Sequence, residues 1–185
     1  MTADLDLALA DVAERLRAST VRVVDVRGNG AGSGIVWPGR GLIVTNAHVI
    51  RGRSALVETG DGRRFRAAVV RRDPHRDLAA LQIEEETALH AVTIRDAAEL
   101  RPGELVLAVG NPLGLVGALS TGLVQRCNAR WVVADVKLAP GNSGGPLADA
   151  AGRVVGVNSM IARGLALAVP SEAVEAFLGR RSLAA

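Results

Sequence analysis

Apolar and polar residues follow one another along most of this chain in short runs separated by Gly, Pro, Asn and Asp, a rhythm that predicts many short strands. A first series covers Val21–Val26, Gly34–Trp37, Leu42–Thr45, Ala55–Glu58, Phe65–Arg71 and Leu78–Ile83. A second covers Leu105–Val109, Leu119–Gln125, Trp131–Asp135, Gly145–Ala148, Val154–Asn158 and Leu165–Val169. Two barrels of six strands each accommodate the two series, and the fold class expected is all-β. Between them the polar segment from Glu84 to Gly103, with its run Glu84-Glu85-Glu86 and its turn Arg101-Pro102-Gly103, is expected to hold one more short strand and a crossover. The period changes at both ends. Leu5, Leu9, Val12 and Leu16 recur at helical spacing from Asp4 to Arg17, predicting an amphipathic helix packed on the barrels. A short closing helix is expected from Ser171 to Gly179, with Ser171 as its cap. The organisation expected is a helix over 1–19, a first barrel over 20–95, a crossover at 96–103, a second barrel over 104–170, and a helix and tail over 171–185.

Composition narrows the picture. The chain has 185 residues, 49% of them apolar, enough for a packed core. With two Phe, two Trp and no Tyr, that core must be built from Val, Leu, Ile and Ala. Cys127 is the sole cysteine, so no intramolecular disulfide can staple the fold. The net charge is +3, and Lys137 is the only lysine among the basic residues. Arg51, Arg53, Arg63, Arg64, Arg66, Arg71, Arg72 and Arg76 form a basic stretch, but acids are interspersed and only Phe65 could stack on a base. A solvated arginine face is expected, with no nucleic-acid partner. The start, Met1-Thr2-Ala3-Asp4, lacks the pattern of a secretory signal, and no apolar run reaches spanning length, so a cytoplasmic protein with no membrane partner is expected.

Three polar residues stand where such a scaffold would carry chemistry. A serine hydroxyl becomes a nucleophile when an imidazole takes its proton, and the imidazole needs a carboxylate to fix its tautomer and stabilise its charged form. Ser143 lies in Gly141-Asn142-Ser143-Gly144-Gly145-Pro146; His48 follows the apolar run Leu42-Ile43-Val44-Thr45; Asp77 enters the strand Leu78–Ile83 from a turn marked by Asp73-Pro74. The glycines beside Ser143 allow the backbone to aim successive N–H groups at one point, which makes Gly141, Asn142 and Ser143 candidate oxyanion donors. His75 and His90, in a turn and a polar linker, are expected to be solvated. The order His48, Asp77, Ser143 is the chymotrypsin-type order.

Gly141-Asn142-Ser143-Gly144-Gly145-Pro146-Leu147, Ile43-Val44-Thr45-Asn46-Ala47-His48-Val49 and Asp77-Leu78-Ala79-Ala80-Leu81 together resemble the trypsin-like serine proteases of the HtrA/Deg type. Gly32-Ser33-Gly34-Ile35-Val36, Val109-Gly110-Asn111-Pro112-Leu113-Gly114 and Ala168-Val169-Pro170-Ser171 extend the likeness over nearly the whole chain. The resemblance implies two antiparallel chymotrypsin-like barrels with the site in the cleft between them, and a serine endopeptidase acting on unfolded or extended polypeptide through an acyl-enzyme. No metal or organic cofactor is called for.

The resemblance also implies a primary pocket walled by Val136 to Pro140, including Lys137 and Leu138, and by Val157, Asn158 and Ser159. Leu138 and Val157 favour an aliphatic substrate side chain; an inward Lys137 would favour an acidic one, and the aliphatic reading is preferred because a lysine can carry its charge out to water. Asn142 lacks the charge that would pair with a new amino terminus, so activation by N-terminal cleavage is not expected. The PDZ domain that usually follows in HtrA-type relatives is not expected in this chain. The competing expectation is a latent or idle peptide-binding, chaperone-like module of the same fold, with its loop ordered by a protein partner. Oligomeric state leaves no trace in the sequence.

Overall fold

The computed structural model describes residues 2–26 and 30–180. Met1 and the tail 181–185, which the expected terminal segments included, lie outside the described residues. The chain opens with α1 (Thr2–Ala18) and continues into β1 (Thr20–Asp25), β2 (Ala31–Val36), β3 (Leu42–Thr45), β4 (Ser54–Glu58), β5 (Arg64–Asp73) and β6 (Leu78–Ile83). These six antiparallel strands close into a barrel in the order β1-β2-β3-β6-β5-β4. After the crossover come β7 (Leu105–Gly110), β8 (Ala118–Cys127), β9 (Val132–Ala134), β10 (Pro146–Asp149), β11 (Val154–Ala162) and β12 (Leu165–Pro170), and α2 (Ser171–Leu178) follows. The second set closes in the order β10-β11-β12-β9-β8-β7, also antiparallel.

The strands are the short apolar runs read above, extended where pairing outlasts burial. β5 runs on through exposed Arg71 and Arg72, and β11 through exposed Met160 and Ile161, because ladder hydrogen bonds continue after the core-facing alternation has ended. The extra strand expected in the linker is reduced to one parallel bridge, Ile94 to Val154, followed by a 3-10 turn at Ala97–Glu99.

Each barrel has its own apolar filling. Val21, Val23, Ile43, Val57 and Leu81 fill the first; Val106, Val124, Val132, Leu147 and Val155 fill the second. A third cluster lies between them and draws on Ile35, Val44 and Leu78 from one barrel, Leu107, Val109 and Val157 from the other, Val12 and Leu16 from α1, and Val174 and Phe177 from α2. Burying such aliphatic side chains contributes about 1.5–3 kcal/mol each. α2 is held further by Trp37, whose indole N–H donates to Glu175 Oε1 at 2.6 Å.

Ser171 does not cap α2. The cap position is Pro170, and the Ser171 hydroxyl instead donates to the Arg95 carbonyl at 2.7 Å and accepts from the Ala97 N–H at 3.1 Å. It thus fastens α2 to the crossover. Arg95 performs the same service on the second barrel, meeting Glu104 at 2.8 Å and Asp149 at 3.3 Å. The hydrogen bond from Arg95, acting against burial, holds the Glu104 carboxyl down at about 2. Among the described residues no helix is long and apolar enough to cross a membrane.

Candidate active site

His48 stands just beyond the end of β3, where the strand gives way to a turn. The turn is held by Thr45, whose hydroxyl donates to the Ser33 carbonyl at 2.6 Å, and by buried Asn46, whose amide donates to the Asp77 carbonyl at 2.9 Å. Asp77 occupies the residue before β6 with φ of 55°, a left-handed conformation that non-glycine residues seldom adopt. That backbone is over-determined by its side chain. One carboxylate oxygen, Oδ1, accepts from the His48 backbone N–H at 3.1 Å, while the imidazole Nδ1 lies 3.0 Å from Oδ1 and 2.8 Å from Oδ2.

Nδ1 faces a carboxylate, so it carries the ring proton and Nε2 is left as an acceptor. Burial acts to raise the Asp77 carboxyl, but the hydrogen bonds from His48 and Ser159 together with the His48 charge outweigh it and hold the group below the ordinary carboxylate range. The imidazole itself is half exposed, open to an approaching molecule.

Ser143 lies between Asn142 and the start of β10 at Pro146, in a loop tied down on several sides. Gly144 N–H donates to the Asn158 carbonyl, Gly145 N–H to the Asn142 carbonyl, and Asn158 N–H to the Gly145 carbonyl, at 2.8 to 3.0 Å. The Ser143 hydroxyl donates to the Ser159 carbonyl at 3.1 Å, and the Ser159 hydroxyl donates to Asp77 Oδ2 at 2.5 Å. Ser159 therefore joins the carboxylate of the first barrel to the serine of the second. Among the described residues no hydrogen bond links Ser143 directly to His48. The structure links the three sequence-predicted groups through one chain of hydrogen bonds, with the serine hydroxyl on the Ser159 carbonyl.

The backbone around Ser143 leaves two donors uncommitted. Among the described residues neither the Gly141 nor the Ser143 N–H has an acceptor in the protein, and Gly141 has φ of 106°, a conformation that glycine takes without steric cost. Asn142, the third expected donor, is different: its N–H is spent on the Ala139 carbonyl at 3.0 Å.

The residues expected to wall a pocket divide. Lys137 is exposed, and Leu138 is half-buried against the second-barrel core. Val157 has no exposed surface and packs in the cluster between the barrels, so its side chain is not available to a ligand. Asn158 is equally buried, its amide donating to the Pro146 carbonyl at 2.8 Å, where it braces the serine loop. Ser159 serves Asp77 with its hydroxyl and Ser143 with its carbonyl. β11 is buried from Val154 through Ser159 and becomes exposed only from Met160, past a bulge between Asn158 and Met160. Of the other residues weighed in the sequence, His75 and His90 are exposed, and the Cys127 thiol donates to the Ala97 carbonyl at 3.1 Å.

Comparison with known proteins agrees with the fold. The trypsin-like peptidase domain family matches residues 32–157. The chain is 38% identical over 167 residues to "Protease Do-like 1, chloroplastic" of Arabidopsis thaliana, covering 83% of this chain and 38% of that protein. It is 36% identical over 163 residues to "Serine protease HTRA2, mitochondrial" of Bos taurus, covering 80% of this chain and 36% of that protein. With "Serine protease HTRA1" of Xenopus laevis it shares 31% identity over 193 residues, which is 92% of this chain and 42% of that protein. The chain thus spans about two fifths of the length of these relatives.

Proposed function

The chain belongs to the trypsin-like peptidase domain family, and from that membership we propose that it is a serine endopeptidase hydrolysing peptide bonds in unfolded or extended polypeptide. Ser143 is the nucleophile, His48 the general base and then acid, Asp77 the group that orients His48, and the Gly141 and Ser143 N–H groups the oxyanion donors.

In this reading the Ser143 hydroxyl turns from the Ser159 carbonyl toward His48 Nε2, which takes its proton as Oγ bonds to the substrate carbonyl carbon. Negative charge gathers on the carbonyl oxygen and is met by the two uncommitted N–H groups, each typically worth about 3–4 kcal/mol of barrier. The tetrahedral intermediate collapses as His48 returns the proton to the leaving amine. Water, activated by the same imidazole, then releases the acyl group.

The observation that carries the proposal is the 2.8 Å contact between Asp77 Oδ2 and His48 Nδ1. It leaves Nε2 as the acceptor nitrogen, with Ser143 joined to the same carboxylate through Ser159. For the primary pocket the aliphatic preference is supported by Leu138, half-buried beside the serine loop, and by the exposure of Lys137, which leaves its ammonium in water.

A fluorophosphonate should label the wild-type chain at Ser143 and leave Ser143→Ala unlabelled. A peptide panel should be cut more rapidly after aliphatic residues than after acidic ones. Binding of extended peptides with no labelling under any condition would favour the alternative of an idle binding module.

A further inference from the structure

Among the described residues, the hydrogen bonds from the opposite barrel to the serine loop come from one residue. Ser33, in the middle of β2, has no exposed surface and reaches the serine loop with both its backbone and its side chain. Its N–H donates to the Ser143 carbonyl at 2.8 Å, and its hydroxyl lies 2.7 Å from the Gly141 carbonyl. The direction of that second bond is not open to choice. The Ser33 oxygen already accepts from the Asn111 backbone N–H at 2.9 Å and from the Asn111 side-chain amide at 3.2 Å. A hydroxyl has two acceptor sites and one proton, so with both acceptor sites filled the proton goes to the Gly141 carbonyl.

The Gly141 carbonyl and the Asn142 N–H belong to one peptide group. Ser33 holds its oxygen and the Ala139 carbonyl holds its hydrogen, at 2.7 and 3.0 Å. The segment from Gly141 to Ser143, which carries both proposed oxyanion donors, is therefore pinned at each end to Ser33. Asn111 is itself secured: its amide also donates to the Val21 carbonyl at 3.1 Å, and its Oδ1 accepts from the Gly117 N–H at 3.1 Å.

Resting on the endopeptidase reading, we propose that Ser33, oriented by Asn111, is a positioning residue that sets the oxyanion donors of Gly141 and Ser143 across the junction of the barrels. It touches neither substrate nor reacting atoms. Its contribution is to hold two N–H groups where negative charge develops, so its loss should tell on the transition state and leave ground-state binding alone. A displacement near 1 Å costs on the order of a hundredfold in rate, which bounds the expected effect.

The experiment uses the full chain with Ser33→Ala and, for a side chain of nearly the same shape but a weak donor, Ser33→Cys. Folding is checked by urea unfolding. For each, kcat and KM on a peptide amide are measured beside the affinities for a peptide aldehyde, whose adduct with Ser143 carries the oxyanion, and for the matching product acid. We expect kcat to fall roughly ten- to a hundredfold in Ser33→Ala, with KM and product affinity within about twofold, and aldehyde affinity to fall by the same factor as kcat/KM. Ser33→Cys should lie between it and wild type. A folded variant with wild-type kcat, or an equal loss of affinity for aldehyde and product, would overturn the assignment. So would failure of both variants to fold, since Ser33 would then be structural only. Failure of the underlying reading looks different: wild type itself would neither turn over the amide nor react at Ser143.

Discussion

Replacing Asp77 by asparagine is a sharp test because the structure dictates how the amide must sit. Asp77 Oδ1 accepts from the His48 backbone N–H at 3.1 Å, and that donor has no alternative. The carbonyl oxygen of the new side-chain amide must take that place. Its NH2 group then falls where Oδ2 was, 2.8 Å from His48 Nδ1 and 2.5 Å from the Ser159 hydroxyl. The Ser159 oxygen can accept one of the two protons by rotating its own. The other proton points at Nδ1 and forces the imidazole into the tautomer protonated at Nε2, the nitrogen that accepts from Ser143 in the proposed mechanism. Loss of the correct tautomer in this arrangement costs about 10⁴-fold in kcat, or about 5.5 kcal/mol of barrier. The assay is hydrolysis of a peptide amide, with urea unfolding to show that the barrels persist. If Asp77→Asn kept more than about a tenth of wild-type kcat in a folded chain, the Asp77 carboxylate would not be what sets the His48 tautomer, and the chemical reading of the cleft would fall with it.

Further outcomes follow from the same geometry. Gly141→Ala would place a Cβ 2.5 Å from the Asn111 carbonyl oxygen at a φ of 106°, so the oxyanion segment must shift; kcat should drop by about a hundredfold or more while far-UV circular dichroism stays unchanged. Leu107→Ala removes a buried side chain from the cluster between the barrels and should cost about 3–5 kcal/mol in urea unfolding; a loss under about 1 kcal/mol would mean that the cluster is loosely packed. Glu104 titrates at about 2 in the folded chain against an ordinary 4.5, so its contribution is intact above pH 4.5 and is lost as pH falls toward 2. Glu104→Gln should flatten the pH dependence of unfolding in that window, and a profile parallel to wild type would refute the Arg95 pairing.

Much of the architecture could be read from the chain because its signals are local. β3 and β6 are apolar runs bounded by turn residues, and they lie where the pattern put them. His48, Asp77 and Ser143 were visible because each follows or precedes such a run. What escaped depends on bonds between distant residues. Ser33 sits in Gly32-Ser33-Gly34, where nothing local says that its hydroxyl will be filled by Asn111 and aimed at Gly141. Nothing local in the sequence says that the Ser159 hydroxyl will donate to Asp77 and its carbonyl accept from Ser143. Ser171 had the composition of a cap, yet its bonds to Arg95 and Ala97 compete successfully for the same hydroxyl. In each case a hydroxyl with several partners within reach was decided by tertiary geometry.

The cluster shared by both barrels and both helices places a constraint on the order of events during synthesis. A nascent chain that has emerged only as far as β6 holds His48 and Asp77 but not Ser143, and the apolar faces of Ile35, Val44 and Leu78 still lack their partners Leu107, Val109 and Val157. Under the proposed roles hydrolytic power therefore arrives late, when the final strands and α2 have closed over the seam, and a ribosome-bound fragment is unarmed.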